Sequence, residues 1–364
     1  MSQLRFEFNK LKELAVLIME KNGISPADSQ KVADVLLAAD LFGIESHGVQ
    51  RLTMYLTGMR LGRINVNAKM RILKETPLSA TIDADAGIAQ PVSVLAMEKA
   101  IEKAEKSGFG MVVVNNSNHY GIAGYYSMMA AKRGLFGMSM TNTEGLVVPT
   151  FGKTPMLGTN PIAISMPASP TMFHLDVSTS VVTAGKCEVY AKAKKPMPEG
   201  WSVGSDGQVN TDAAEFLAIR KEKRDGGILP LGGFGEVFGG HKGYGLSMLV
   251  EIMTGIMSLG NTSRHVREVP HIEKTAHVFQ VIDYGMFGDK KAIEDKLSGF
   301  MQELRDSKKA DGHDRIYVHG EKEMEAAERV MREGVYMQQA TYDEVRSSAE
   351  ACGIDHGKYL LPVT

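Results

Sequence analysis

Two histidines stand where a proton could be moved near neutral pH. One lies in Glu45-Ser46-His47-Gly48-Val49-Gln50-Arg51-Leu52, the other in Asn118-His119-Tyr120-Gly121. His47 and Arg51 are four residues apart, which on a helix would put them on one face. A proton donor or acceptor would then sit beside a guanidinium fork suited to a carboxylate. A 2-hydroxy or 2-oxo acid needs both: one group for the hydroxyl proton and one to fix the acid end. A surface His and Arg at helical spacing give the same pattern, so the pair alone leaves both readings open. His119 follows the strand-like run Met111-Val112-Val113-Val114 and precedes a helical pattern. Such strand-end loops are frequent functional positions in α/β proteins. A helix N-terminus also disfavours the imidazolium. A histidine that only caps a turn would look the same.

Three segments could cradle anions: Gly158-Thr159-Asn160-Pro161, Leu175-Asp176-Val177-Ser178-Thr179-Ser180, and Gly239-Gly240-His241-Lys242-Gly243-Tyr244-Gly245-Leu246. Glycines let a phosphate approach the backbone, and helix-start amides point at it. Lys242 adds a point charge. Asp176 could orient a histidine tautomer, and it reads equally as a helix N-cap. Lys186, in Ala184-Gly185-Lys186, could reach an anion or a substrate oxygen. A proton shuttle beside phosphate-sized cradles suggests redox chemistry with a nicotinamide dinucleotide. The GxGxxG and Walker spacings are both absent from the chain, which argues against the usual dinucleotide fold.

The elements that must position these residues fall into three regions. Residues 1–75 read as a helical N-terminal part, 76–289 as an α/β cofactor-binding domain, and 290–364 as a helical part returning to the N-terminal one. Leu11, Leu14, Ala15, Leu17 and Ile18 mark one helix face. Ser25-Pro26 starts a second helix, and a third is expected from about His47 to Gly58. Strands are expected at 111–117, 136–141, 162–166 and 277–282. Helices are expected at 92–107, 122–133 and 244–258, with loops and a short helix over 196–240. His265, His271 and His277 recur every six residues. That spacing shares no helical face, so they read as solvated loop histidines, not a zinc site, and no metal is expected.

The chain has 364 residues, 43% of them hydrophobic and 23% charged, with a net charge of -2. That is an ordinary globular composition with enough apolar content for a sizeable core. It gives no general attraction to nucleic acid or acidic lipid. Cys187 and Cys352 are too few for a disulfide framework, so a reducing, cytoplasmic setting is expected. Residues 1–7 lack a long apolar run, so no signal peptide is expected. The stretch 246–259 is too short and interrupted to span a membrane.

Taken together, the chain resembles the type-2 malate/L-lactate dehydrogenase family, which includes sulfolactate, ureidoglycolate and diketogulonate-type reductases. The resemblance rests on Ser46-His47-Gly48 with Arg51-Leu52, Asn118-His119-Tyr120-Gly121, Leu157-Gly158-Thr159-Asn160-Pro161, and Asp176 with its Ser/Thr run. It rests also on Pro198-Glu199-Gly200-Trp201, Leu229-Pro230-Leu231-Gly232-Gly233 and Lys242-Gly243-Tyr244-Gly245-Leu246. It implies a non-Rossmann α/β fold: a mixed-sheet cofactor domain with a helical domain formed by both termini, and a homodimer. It implies NAD or NADP as cofactor and a small L-2-hydroxy acid or 2-oxo acid as substrate. Malate is the first choice; lactate, sulfolactate, ureidoglycolate and cyclic imino acids are the alternatives. A nucleotide sensor that kept the fold without the activity is a rival from another class. The resemblance makes His47 and His119 the proton-transfer candidates, Arg51 the carboxylate holder, Asp176 a histidine orienter and Lys186 an active-site residue. Thr143, Val177, Ser178, Thr179, Ser180, Lys242, His319, Gly320 and Glu321 match cofactor positions, and Thr159, Asn160 and His241 complete the cradles. The chain departs from the family at Ala184, where an arginine is usual, and at His319, where a proline is usual.

Overall fold

A computed structural model describes residues 4–267 and 274–363. The N-terminal part runs through strand β1 (Leu4–Phe6) and helices α1 (Phe8–Lys21), α2 (Pro26–Leu41) and α3 (Leu52–Arg60). Helix α1 buries Leu11, Leu14, Ala15 and Ile18 of the face its spacing predicts, together with Met19, while Leu17 is only half-buried at the margin of that face. Helix α2 starts as its sequence requires: the Ser25 side chain accepts from the Asp28 amide at 3.2 Å, and Pro26 occupies the first turn.

The middle of the chain carries β2 (Arg71–Glu75), β3 (Ser79–Asp83), α4 (Ala89–Ser107), β4 (Phe109–Ser117), α5 (Ala123–Ala131), β5 (Phe136–Thr141), β6 (Ile162–Met166) and β7 (Phe173–Val177). Helix α6 (Ala184–Lys192) follows, then β8 (Ser202–Val203), β9 (Val209–Asn210), α7 (Ala213–Glu222), β10 (Gly227–Ile228), α8 (Gly240–Glu251) and β11 (Thr275–Ile282). A seven-stranded sheet has the order β2-β3-β4-β11-β5-β6-β7. Only the β3–β4 pair in it is parallel; its other pairs are antiparallel. This mixed sheet, without a doubly wound parallel core, agrees with the missing glycine fingerprint. Its centre is apolar on both faces: Val112, Val114, Val278, Phe279 and Val281 are buried, and α4 and α5 cover one side.

The chain closes with α9 (Lys290–Asp306), α10 (Glu321–Glu333), β12 (Val335–Met337) and α11 (Gln339–Ala351). Strand β1 pairs antiparallel with β12. Val330, Val335, Met337, Val345 and Ala349 share one core with Leu11, Leu14, Ile18, Leu36 and Tyr55. The two ends of the chain therefore fold as one helical unit. Helix α9 differs: it lies on the sheet side, where Ser298 Oγ accepts from the Ser169 amide. Strand β2 also joins the large sheet although it precedes residue 76. The loop-rich segment 196–240 contains a small β10-β8-β9 sheet, too short to show as a periodic pattern.

Candidate active site

The antiparallel registers decide which loops meet. Ser117 at the end of β4 pairs with Thr275 at the start of β11, and His277 pairs with Thr141 at the end of β5. Ile162 at the start of β6 pairs with Val177 at the end of β7. One sheet edge therefore gathers His119, Thr143, Thr159, Asn160 and the segment 177–180. The helical unit brings His47, Arg51 and Tyr55 to His119.

His47 and Arg51 do not share one helix. Single 3-10 turns at Glu45–His47 and Val49–Arg51 are separated by Gly48 in an extended conformation, and regular helix begins only at Leu52. Asp40, buried at the end of α2, causes the break. Its Oδ2 accepts from the Val49 amide at 2.7 Å. A Cβ at residue 48 would lie 1.8 Å from Asp40 Oδ1, so the turn closes round the carboxyl only with glycine there. The functional groups still converge. The His47 and His119 rings lie 5.6 Å apart at 24°. Arg51 Nε donates to the Ser46 carbonyl at 2.6 Å, and Ser46 Oγ contacts His47 Nδ1 at 2.9 Å. One residue thus fixes both the guanidinium and the ring.

Tyr55, not singled out from the sequence, lies 2.7 Å through its hydroxyl from His119 Nδ1. The Gly121 amide is 3.3 Å from the same nitrogen and can only donate. A lone pair at Nδ1 and a proton at Nε2 are therefore favoured in the neutral ring. Tyr55 follows Arg51 by four residues, and that spacing was the available signal. Both rings keep some surface open, yet protein surrounds them on most sides. Burial, with a smaller contribution from the Arg51 charge, brings His47 down to about 4. Burial, then the His47 and Arg51 charges, holds His119 well below the usual histidine range. Both are neutral at pH 7 without substrate.

The cradles are stitched into one cluster. Thr159 N donates to Thr143 Oγ1 at 3.0 Å, Thr143 N to Asn160 Oδ1 at 3.2 Å, and Thr179 N to the Thr159 carbonyl at 2.9 Å. The hydroxyls of Ser178 and Ser180 donate to the Ser180 and Val182 carbonyls, whereas the Val177 side chain is exposed. A Cβ at Gly158 would meet Thr143 Oγ1 at 2.3 Å, so that turn needs its glycine. Buried Glu251, near the end of α8, accepts from Asn160 Nδ2 at 2.8 Å and from the Ser263 amide at 3.1 Å. Leu231 N donates to the Thr179 carbonyl, and α8 packs its Gly243 against Leu231. His241 and Lys242 stand exposed in the first turn of α8, whose Gly239 cap offers no side chain.

Asp176 lies within β7, not at a helix cap, and its Oδ2 accepts from the Gly124 amide at the start of α5, 2.7 Å away. Burial raises it to about 6, against the lowering effect of that amide. The histidine beside it is His174: a Cβ at Gly124 would touch both the His174 ring and Asp176 Oδ2. Lys186 is exposed in the first turn of α6, with no hydrogen bond to His47 or His119 among those described. The segment 319–321 runs along β7, where the His319 carbonyl accepts from the His174 amide at 3.2 Å. Gly320 takes a φ of 104° there. Glu321 is buried and held by Arg305 at 2.5 Å and Arg315 at 3.0 Å, which occupies both its oxygens within the protein.

One histidine expectation fails. His277 is fully buried in β11, between Thr141 Oγ1 at 2.7 Å and Ser117 Oγ at 2.9 Å, and stacks on Tyr120. A strand was expected to begin at this residue, but the six-residue spacing gave no sign that the strand lies at the centre of the sheet. His265 is exposed, and His271 lies outside the described residues. No cluster of three or more potential ligands is arranged for a metal among the described residues. No described helix is long and apolar enough to cross a membrane, and neither cysteine is in a disulfide.

The chain is similar to known proteins along nearly its whole length. Residues 6–346 match the malate/L-lactate dehydrogenase family model. Malate dehydrogenase of Pyrococcus horikoshii is 41% identical over 353 residues, covering 97% of this chain and 96% of that protein. L-sulfolactate dehydrogenase of Methanocaldococcus jannaschii is 34% identical over 351 residues, covering 96% and 97%. The crystal structure of malate dehydrogenase from Entamoeba histolytica superposes with a TM-score of 0.93 at 35% identity, covering 97% of this chain and 99% of that one. With the mixed sheet and the paired histidines in place, these likenesses show that the chain belongs to the malate/L-lactate dehydrogenase family.

Proposed function

We propose that this protein is an NAD(P)-dependent dehydrogenase of a small L-2-hydroxy acid, with malate and oxaloacetate the favoured pair. The observation that carries the reading is the His47–His119 pair beside Arg51. Two relatives named for malate support this choice of acid, and the sulfolactate enzyme marks the main alternative.

A nicotinamide dinucleotide fits what this chain offers. The start of α8 is uncapped by any side chain and exposes Lys242, an arrangement that favours phosphate. Helix α6 likewise begins without a side-chain cap, and Gly185 in its first turn faces open space. Thr143, Thr159, Asn160 and residues 177–180 would hold the remainder, with 319–321 at their flank. When bound, the nicotinamide supplies or accepts the hydride.

The remaining chemistry belongs to the protein. Arg51 holds the acid end through its outer nitrogens, since Nε is engaged at Ser46. Neutral His119 presents Nε2–H to the substrate oxygen. His47 is the favoured acceptor of the hydroxyl proton, because the Tyr55 hydroxyl and the Gly121 amide already occupy the Nδ1 lone pair of His119. In the reverse direction the short-lived imidazolium is a strong acid for the developing alkoxide.

A second copy of the chain completes this reading. The outer face of α8 and the turn after it shows Leu246, Met248, Leu249, Ile252, Ile256 and Met257, each 40–52% exposed. Glu251 is the only charge from 244 to 259, and it points inward. A helix apolar all round needs cover on both sides. This face offers on the order of 500 Å² of apolar surface, more than half of one partner's share of a standard interface. An uncharged face also opposes itself without repulsion, as a twofold dimer requires.

The test is oxidation of NADH and NADPH by the purified protein with a panel of 2-oxo acids and Δ1-imino acids. Parent protein should turn over oxaloacetate. Alanine at the true shuttle, His47 first, should lower turnover by roughly 10²–10⁴ while cofactor binding persists. Cofactor binding without turnover of any acid would favour a sensor. Near-normal turnover in both single variants would remove the histidines from the chemistry.

A further inference from the structure

We propose that Asp40 is the positioning residue of the catalytic turn: by holding the backbone at Gly48 and Val49, its side chain sets where His47 and Arg51 stand. The proposal rests on the reading of those two residues as substrate-handling groups.

The geometry is specific to this carboxyl. Asp40 is buried in the last turn of α2, 5% exposed. It ends the first 3-10 turn and starts the second. Its Oδ2 takes the Val49 amide at 2.7 Å, and its Oδ1 and Cγ fill the space a Cβ at residue 48 would need. The turn therefore bends round Asp40. His47 precedes that bend by one residue, and Arg51 follows it by three.

Asp40 does this without a counter-charge. No ion pair to it exists among the described residues. Behind it lies a cavity of about 320 Å³ lined by Arg5 of β1, Glu45 of its own loop, Arg329 of α10 and Tyr336 of β12. Arg5 is turned to the Gly334 carbonyl at 3.3 Å and to Glu333 at 3.7 Å. On the turn itself, Arg51 is tied to Ser46. Burial, with the neighbouring Glu45 charge, pushes the Asp40 acid up to about 8, against the Val49 amide that lowers it. At neutral pH the group is mostly a neutral acid whose carbonyl oxygen accepts the Val49 amide. Above about 8 it ionises beside Glu45 and adds a negative charge under the turn. An asparagine can copy the neutral form but cannot ionise. A leucine keeps the bulk and lacks the acceptor, so the Val49 amide is left without a partner.

The experiment compares Asp40→Asn and Asp40→Leu in the full-length protein. It measures kcat and KM for the 2-oxo acid from pH 6 to 9.5, cofactor Kd, and the ¹⁵N chemical shifts of His47. Asp40→Asn should keep the parental kcat at pH 7 and lose the break near pH 8 in kcat/KM. Asp40→Leu should lower kcat about 10-fold or more with cofactor Kd unchanged, and should shift the His47 ring signals. The proposal is overturned if folded Asp40→Leu keeps parental kcat, KM and His47 shifts, or if Asp40→Asn keeps the break near pH 8. If Asp40→Leu does not fold, Asp40→Ala, which also removes the acceptor for the Val49 amide, is read by the same kcat, KM and His47 shifts. Should the parent turn over none of the acids, the functional reading fails separately, and the His47 shifts still decide whether Asp40 positions the ring.

Discussion

Arg51→Lys separates charge from geometry at the residue proposed to decide the substrate class. The guanidinium spends Nε on the Ser46 carbonyl at 2.6 Å, and in the proposed function its outer nitrogens take the carboxylate. Lysine preserves the positive charge, so the electrostatic lowering of His47 and His119 survives in part. Two things are lost. The fork that can make two parallel hydrogen bonds to a carboxylate becomes a single ammonium, and the tie to Ser46, which also fixes His47, disappears. A hydrogen bond to a charged group is worth about 1.5–3 kcal/mol. At about 1.4 kcal/mol per factor of ten, kcat/KM for the 2-oxo acid should fall about 10- to 100-fold. Cofactor affinity should hardly change, because Arg51 belongs to the helical unit and the cradles are tied to one another. The assay is steady-state oxidation of NAD(P)H with the acid and with its uncharged ester, alongside fluorescence titration of the cofactor. The parent should handle the ester poorly, and the variant should lose little more on it. Equal losses on acid and ester would refute the reasoning and make Arg51 a prop of the fold.

Two further outcomes follow from the cradles and from the exposed helix. Lys242→Ala should weaken dinucleotide binding, more at low salt than at high, because the side chain is exposed and its charge is screened; an unchanged Kd would leave Lys242 a solvated helix-start residue. Leu249→Lys places a charge on the apolar face of α8 at a side chain 41% exposed. It should give a folded monomer by sedimentation against the dimer proposed for the parent, and a variant that remains dimeric would move the interface elsewhere.

The division between what sequence determined and what needed tertiary structure follows from the range of the forces involved. Helices α1 and α2, their cap at Ser25, and strands β4, β5, β6 and β11 were legible because a periodic apolar pattern, a capping residue or a short β-branched run acts within a few residues. The types of the chemical groups, two histidines and an arginine near glycine-rich cradles, were legible as well, and the order of the short motifs pointed to the family. The helical spacing of His47 and Arg51 misled, because a carboxyl from α2 enters the turn and breaks it into two. His277, at the start of an expected strand, read as solvated, whereas β4 and β5 close on either side of it. Tyr55 became part of the site only when the helical unit met the sheet edge 64 positions away in sequence. The meeting of Thr143, Asn160, Thr179 and Glu251 was equally unreadable, since strand register and buried hydrogen bonds between distant loops decide it. Sequence supplied the candidate reacting groups and the local elements. Long-range pairing and burial decided which groups face each other and made both histidines neutral, because distance and desolvation are properties of the packed chain.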